Sequence, residues 1–326
     1  MKLPWILGLL LVTQPVNIGE NHKETHNLTK RSDSPSTVVE QPEVVTDLTI
    51  FYENKPIMTI NRSDLSIPLQ DFPLADTAKL QNVMDQLDQT IRKEPINATL
   101  GNYGQIIPEQ PGIQLNKDTF KDLFYTFFYQ TGSSSFELPI RRIYPRVDSE
   151  LLENVKTKLI GQYVTYFNSS NQERSHNIDL ATNAINNHVV FPGETFSFNQ
   201  TVGQRTKEKG YLPAPIIVKG ELAEGIGGGI CQVSSTLFNA ADRSGLEIVK
   251  RFSHSKRVPY VPPGRDATVS WYGPDFSFKN QYNQPVLIRA KAHHGMMFVQ
   301  VYSSEDINNQ PKHVPGTGAR GVNEKN

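Results

Sequence analysis

A single cysteine occurs in the 326-residue chain, at Cys231, and its neighbours are those a reactive thiol needs. It follows Gly225-Ile226-Gly227-Gly228-Gly229-Ile230 and precedes Gln232-Val233-Ser234-Ser235-Thr236. Val233, Leu237, Ala240 and Ala241 then fall on one helical face, so Cys231 is expected in the first turn of a helix. The glycines permit positive φ and close backbone approach. A thiol at that position meets free N–H groups and the positive end of the helix dipole. Both favour the thiolate, so the pKa should fall and the sulfur should become nucleophilic near neutral pH. The same N–H groups suit the oxyanion of an acyl transfer. The alternative for a lone cysteine is a small buried residue packed beneath the glycine turn.

A thiolate in acyl transfer needs a proton carrier, and His254 is the nearest downstream candidate, in Arg251-Phe252-Ser253-His254-Ser255. Asp266, beside Arg265, is nominated to orient the imidazole because it lies close to His254 in sequence. Gly228, Gly229, Gln232 and Ser234 around the thiol, with Arg265, are the candidate substrate contacts. Arg205, Lys209, Arg257 and Arg265 could each pair with a substrate carboxylate or simply be solvated. His188 reads as a helix C-terminal cap, His293-His294 as a turn, and His22, His26, His176 and His313 as solvated. No HExxH and no paired cysteines occur, and no Gly-Lys-Ser/Thr follows the glycine run, so neither a metal, a nucleotide loop nor a cofactor is expected.

The elements that must position these residues are expected in two α+β domains, residues 47–148 and 149–304. The opening MKLPWILGLLLV matches a secretory signal or short anchor over residues 1–19, and 20–46 is a polar spacer. Export to the cell surface or wall is expected, with a membrane reached only through that anchor. A hairpin surrounds Glu53-Asn54-Lys55-Pro56, and Leu80, Val83, Met84, Leu87 and Ile91 keep helical spacing up to Pro95. Strand-like pieces at 97–100 and 105–107 precede a helix in KDTFKDLFYTFFYQ, and SELLENVKTKLIGQYVTYF reads as a third helix. DLATNAINNHV is another helix, and RDATVSWYGPDFSFKNQYNQPVLIRAKAHHGMMFVQVYSS reads as three or four antiparallel strands. Residues 305–326 look too poor in apolar side chains to pack. With 33 basic and 33 acidic residues, there is no electrostatic reason to expect a nucleic-acid partner. One cysteine allows no intramolecular disulfide.

The stretch from Tyr163 to Ile288 resembles the VanW domain. The resemblance rests on Tyr166-Phe167-Asn168, NHVVFPGETFSFNQTVGQRTKEKGY, PIIVKGELAEGIGGGICQVSSTLFNAA and GLEIVKRFSHSKRVPYVPPGRDATVSW. Residues 47–148, with IIPEQPGIQLNKDTF, resemble the peptidoglycan-binding domain found ahead of VanW domains and some L,D-transpeptidases. The resemblance implies an envelope protein of peptidoglycan maintenance, in a family named for an accessory gene of glycopeptide-resistance clusters. It also implies a cysteine-dependent L,D-transpeptidase acting on peptide stems, with Cys231 as nucleophile and His254 as its histidine. A non-catalytic, peptidoglycan-binding or scaffolding accessory factor is the alternative.

Overall fold

The computed structural model describes residues 47–69, 73–129, 135–218 and 221–317. The expected signal and spacer, and residues 318–326, lie outside them. At the N-terminal end, Asp47–Tyr52 and Lys55–Asn61 pair antiparallel, and Ser135–Glu137 joins the first strand in parallel. The tight turn between the first two demands left-handed residues, supplied by Glu53 (φ 51°) and Asn54 (φ 61°). Helix α1 (Thr77–Ile91) starts on Asp76, whose carboxylate accepts from the N–H groups of Ala78 and Lys79. It buries Leu80, Met84, Leu87 and Ile91 against Phe120, Phe124, Phe127 and Phe128 of α2 (Lys117–Tyr129), and these helices share one core with the sheet.

A second core begins after α3 (Ser149–Val155), which is capped by Asp148. It contains α4 (Gln172–Ile185), α5 (Phe198–Val202) and α6 (Ile230–Arg243). The main sheet is antiparallel, in the order Lys158–Tyr166, Met296–Ser303, Val286–His293, His188–Val190. A smaller sheet joins Thr195–Ser197, Ser277–Lys279 and Glu247–Lys250, and Pro213–Val218 pairs with Glu221–Ile226 as a hairpin. Between the two cores, Ala98, Leu100, Val147, Leu152 and Val155 pack on Val189 and Leu287. Asn187 reinforces this seam by exchanging hydrogen bonds with the Leu100 backbone at 3.1 Å each. Among the described residues no helix is long and apolar enough to cross a membrane.

Three sequence expectations need correction. The helix expected across 149–167 ends at Val155, and Lys158–Tyr166 is a strand. Beyond Gly161 its burial alternates with a period of two, Tyr163 and Thr165 facing inward, as β-branched and aromatic residues do on a pleated surface. His188 caps no helix: Asn187, at φ 64°, makes the turn after α4, and His188 enters a strand with its ring edge-on to Phe196. The tail expected to be unstructured packs as far as residue 317. Ile307 and Val314 are buried, the Tyr163 hydroxyl donates to the Pro315 carbonyl (3.0 Å), and Thr317 donates to the Val164 carbonyl (2.9 Å). Two apolar anchors suffice because the domain satisfies the backbone between them.

Helix α6 crosses the main sheet at Gly161, where a Cβ would come within 2.2 Å of Ser244 Oγ and 2.8 Å of the Ala240 carbonyl oxygen. Gly161→Ala is therefore expected to destabilise the protein by about 1–3 kcal/mol. The change should appear as a lower urea midpoint at unchanged slope. An unaltered midpoint would mean that α6 backs away at no cost.

Candidate active site

The glycine run builds the start of α6. Gly227 (φ 84°) and Gly229 (φ 105°) occupy backbone conformations that L side chains rarely adopt. Between them, a Cβ on Gly228 would strike the backbone of Ala214 and Pro215 at 2.6–2.7 Å, so the turn lies flat against the hairpin. Cys231 follows as the second residue of α6 and is partly buried. Its Sγ lies 3.5 Å from the Val269 carbonyl oxygen and 3.8 Å from Thr268 Oγ1.

One face of α6 holds the segment 265–269 in place through its polar side chains. Ser234 Oγ donates to the Ala267 carbonyl (2.6 Å), and Ser235 Oγ accepts from the Ala267 N–H (2.8 Å) while donating to the Cys231 carbonyl (2.7 Å). Asn239 donates to the Arg265 carbonyl (2.8 Å) and accepts from Arg265 Nε (2.7 Å). Arg265 also reaches Asp242 at 2.8 Å and lies over the Phe238 ring. These ties fix Asp266, which turns toward the loop that carries His254. Its Oδ2 accepts both the His254 backbone N–H (2.6 Å) and the ring Nδ1–H (2.7 Å). Arg251 bonds the Asp266 carbonyl (2.7 Å), and Phe252 accepts from the Thr268 N–H (2.8 Å), which closes the loop at its base.

With Nδ1 held by Asp266, Nε2 is the His254 nitrogen left to act on the neighbouring Cys231. Burial by itself raises the thiol, but the hydrogen bond and charge of His254, aided by the Thr268 hydroxyl, bring Cys231 below its usual range. Burial disfavours the His254 cation, yet Cys231 and Asp266 together raise it above an ordinary histidine. Asp266 is likewise opposed by burial and is held below the carboxylate range by its bonds from His254. Each of the three shifts runs toward the charged form of its group: thiolate, imidazolium and carboxylate.

Cys231, His254 and Asp266 thus come together, whereas the expected substrate contacts have internal partners. Gln232 is buried, donating to Thr165 Oγ1 and the Tyr166 carbonyl at 3.0 Å each and accepting from Arg174 at 2.7 Å. Ser234 and Arg265 belong to the ties just described, and Gly228 gives its carbonyl to Asn177 (3.1 Å). Gly229 is the residue that caps α6 beside the thiol. The physical reason is burial: polar groups inside a core must be satisfied there. Sequence reasoning missed Thr268, Ser235 and Tyr260. Tyr260 lies near Ser235 and Cys231, and its hydroxyl is pushed well above its usual range, first by burial and then by the Cys231 charge. No local pattern marks these residues, because tertiary folding brings them to the thiol.

Comparison with known proteins is consistent with this layout. The family model described as "VanW like protein" matches residues 173–302, which contain Cys231, His254 and Asp266, and one described as "Putative peptidoglycan binding domain" matches residues 57–125. The "Uncharacterized protein YoaR" of Bacillus subtilis (strain 168) is 58% identical over 273 residues, 84% of this chain and 90% of that protein. The "Vancomycin B-type resistance protein VanW" of Enterococcus faecalis (strain ATCC 700802 / V583) is 33% identical over 114 residues, 33% of this chain and 42% of that protein. No solved structure matches the chain. With a YoaR-like sequence over most of its length and its candidate site inside the VanW match, the chain belongs to the VanW family and carries a peptidoglycan-binding region ahead of the VanW region.

Proposed function

We propose that the protein is a cysteine-dependent acyl transferase of the cell wall that acts on peptidoglycan peptide stems in the manner of an L,D-transpeptidase. A cell-wall role follows from the two family matches. The reading of the chemistry is carried by the row Cys231, His254, Asp266, with Asp266 holding His254 Nδ1 at 2.7 Å. In the first half-reaction the thiolate attacks the carbonyl carbon of a stem amide. A C–S bond forms, the C–N bond breaks, and the His254 imidazolium passes its Nε2 proton to the leaving amine. In the second, an acceptor amine attacks the thioester and gives its proton to His254 as the thiolate departs. Water in place of the amine gives hydrolysis. Such a substrate lies outside the membrane, so the reading includes export of the chain.

A second reading is favoured by the 57–125 match alone: a non-catalytic, peptidoglycan-binding accessory factor in which Cys231 only packs. Incubating muropeptides with wild-type protein and with Cys231→Ala, read by mass spectrometry, separates the two. Cross-linked or trimmed stems are expected from the wild type only. Identical product spectra would leave the accessory reading standing.

A further inference from the structure

Arg205 lies against the glycine turn and, among the described residues, has no acidic partner. A Cβ on Gly227 would come within 3.2 Å of Arg205 Cβ and 3.4 Å of its Cγ, so the arginine stem packs on the turn that leads into Cys231. Its Nη2 donates to Asn199 Oδ1 (2.7 Å) and its Nη1 to the Gly203 carbonyl (3.3 Å), and the guanidinium lies 5.7 Å over the Phe198 ring. Asn199 is itself locked, because its amide nitrogen donates to the carbonyls of Ser270 (2.9 Å) and Pro274 (3.2 Å), and its oxygen therefore faces the arginine. Among the described residues Arg205 makes no ion pair. The nearby Asp275 carboxylate is taken by Ser197 Oγ (2.7 Å) and the Asn199 N–H (2.9 Å). Burial acts against the guanidinium charge, and the largest favourable influence on it comes from Cys231, ahead of Tyr211 and Asp275.

A guanidinium has five N–H donors in a planar fork that matches a carboxylate. Two are accounted for by Asn199 and Gly203, which leaves three for a ligand, and Asn199 in turn bonds Ser270, the neighbour of Val269 whose carbonyl contacts the Cys231 sulfur. A desolvated cation with unused donors is costly unless an anion meets it. The thiolate supplies part of that charge, but a single sulfur cannot fill a fork.

We infer that Arg205 is a specificity-determining residue that pairs with a free carboxylate on the acyl donor, on the amino acid released when Cys231 attacks. This rests on the acyl-transfer reading above. The donor is then a peptide cut at its last amide: its acyl part stays on Cys231 as a thioester, and its last residue leaves as a free amino acid carrying both the proton from His254 and the carboxylate held by Arg205. Neighbouring Lys209 and Arg257, also singled out in the sequence, have no comparable packing against the turn.

Two measurements test the pairing. The first uses the thiol itself: Cys231 is alkylated with iodoacetate and with iodoacetamide, which differ in carrying a carboxylate or an amide. Measurement is made at a pH where the thiolate is fully formed. The iodoacetate-to-iodoacetamide rate ratio is expected to be about tenfold higher in the wild type than in Arg205→Gln, the effect of one charge-assisted pairing. Arg205→Lys keeps the charge without the fork, should fall between them, and carries the test if Arg205→Gln fails to fold. Ratios equal across the three proteins would overturn the inference. The second compares turnover of a stem peptide ending in a carboxylate with its C-terminal amide. Wild type is expected to prefer the acid by about tenfold or more, and the variant to lose that preference. If the wild type turns over neither peptide, the acyl-transfer reading fails, while the alkylation ratio still decides the role of Arg205.

Discussion

His254→Ala is expected to cost turnover nearly as much as Cys231→Ala, about 1,000- to 10,000-fold, because nucleophile and proton carrier act as one unit. The argument runs through the thiol. Burial opposes the Cys231 thiolate, and the hydrogen bond and charge of His254 reverse that balance. Without the imidazole only the bonds from Val269 and Thr268 still oppose burial, so the thiol should titrate higher than in the wild type. In the wild type, alkylation by iodoacetamide should rise through a lowered pKa on the acid side of neutral thiol behaviour. In His254→Ala that rise should move to alkaline pH and the rate at pH 7 should drop by about tenfold or more. Stability follows the same linkage. His254 has a raised folded pKa, so its contribution is full below its unfolded value and is lost as pH rises through the folded one. Cys231 has a lowered folded pKa, and its contribution is full above the unfolded thiol value and is lost as pH falls through the folded one. An alkylation profile in His254→Ala that coincides with the wild type would remove the basis for catalysis at this site.

Local chemistry made part of this site legible in the sequence. A glycine run that ends at a cysteine on an amphipathic helix can be recognised from residue types alone, and so can a histidine and an aspartate within one return loop. The internal partners of Gln232, Ser234 and Arg265 could not be read from the sequence for a physical reason: they are backbone groups and side chains of Thr165, Ala267 and Asn239, which only the fold brings near. The polar character of QVSSTLFN looks like an exposed face, yet this helix is buried almost all round and its polar groups are satisfied internally. The strand Lys158–Tyr166 was hidden by the helical signature of the residues before it, and its inward Gly161 became meaningful only once α6 lay across it. The hydrophobic spacing of α1 and α2 stated their inner faces openly, because amphipathic period and burial coincide there. Arg205 stood out as a cation but had nothing in its sequence to separate it from a solvated one; its ties to Asn199 and Gly203 do so.

Asp266→Asn is expected to lower turnover by about 100- to 10,000-fold with the fold retained. The substitution is nearly isosteric, so its effect comes from hydrogen-bond polarity. In the wild type, Oδ2 accepts from both the backbone N–H and Nδ1–H of His254, and Oδ1 faces Arg251 Nη2 at 3.4 Å. An asparagine that keeps its oxygen toward His254 turns its NH₂ toward the Arg251 guanidinium, setting donor against donor. Flipped, it satisfies Arg251 but presents NH₂ to the His254 backbone N–H and forces Nδ1 to become the acceptor, so the neutral ring carries its proton on Nε2, facing the thiol. Either orientation also removes the negative charge that helps to keep the imidazolium protonated. His254 should then titrate lower, Cys231 higher, and the window in which thiolate and imidazolium coexist should narrow from both sides. Asp266 itself has a lowered folded pKa, so the stability it contributes is full above the ordinary carboxylate range and is lost as pH falls through the folded value. The variant should accordingly differ from the wild type in melting temperature at pH 7 and converge with it as the solution is acidified. Iodoacetamide rates measured against pH would show the narrowed window directly. A variant with wild-type turnover and an unshifted alkylation profile would mean that His254 needs no carboxylate, and Asp266 would then be a loop brace only.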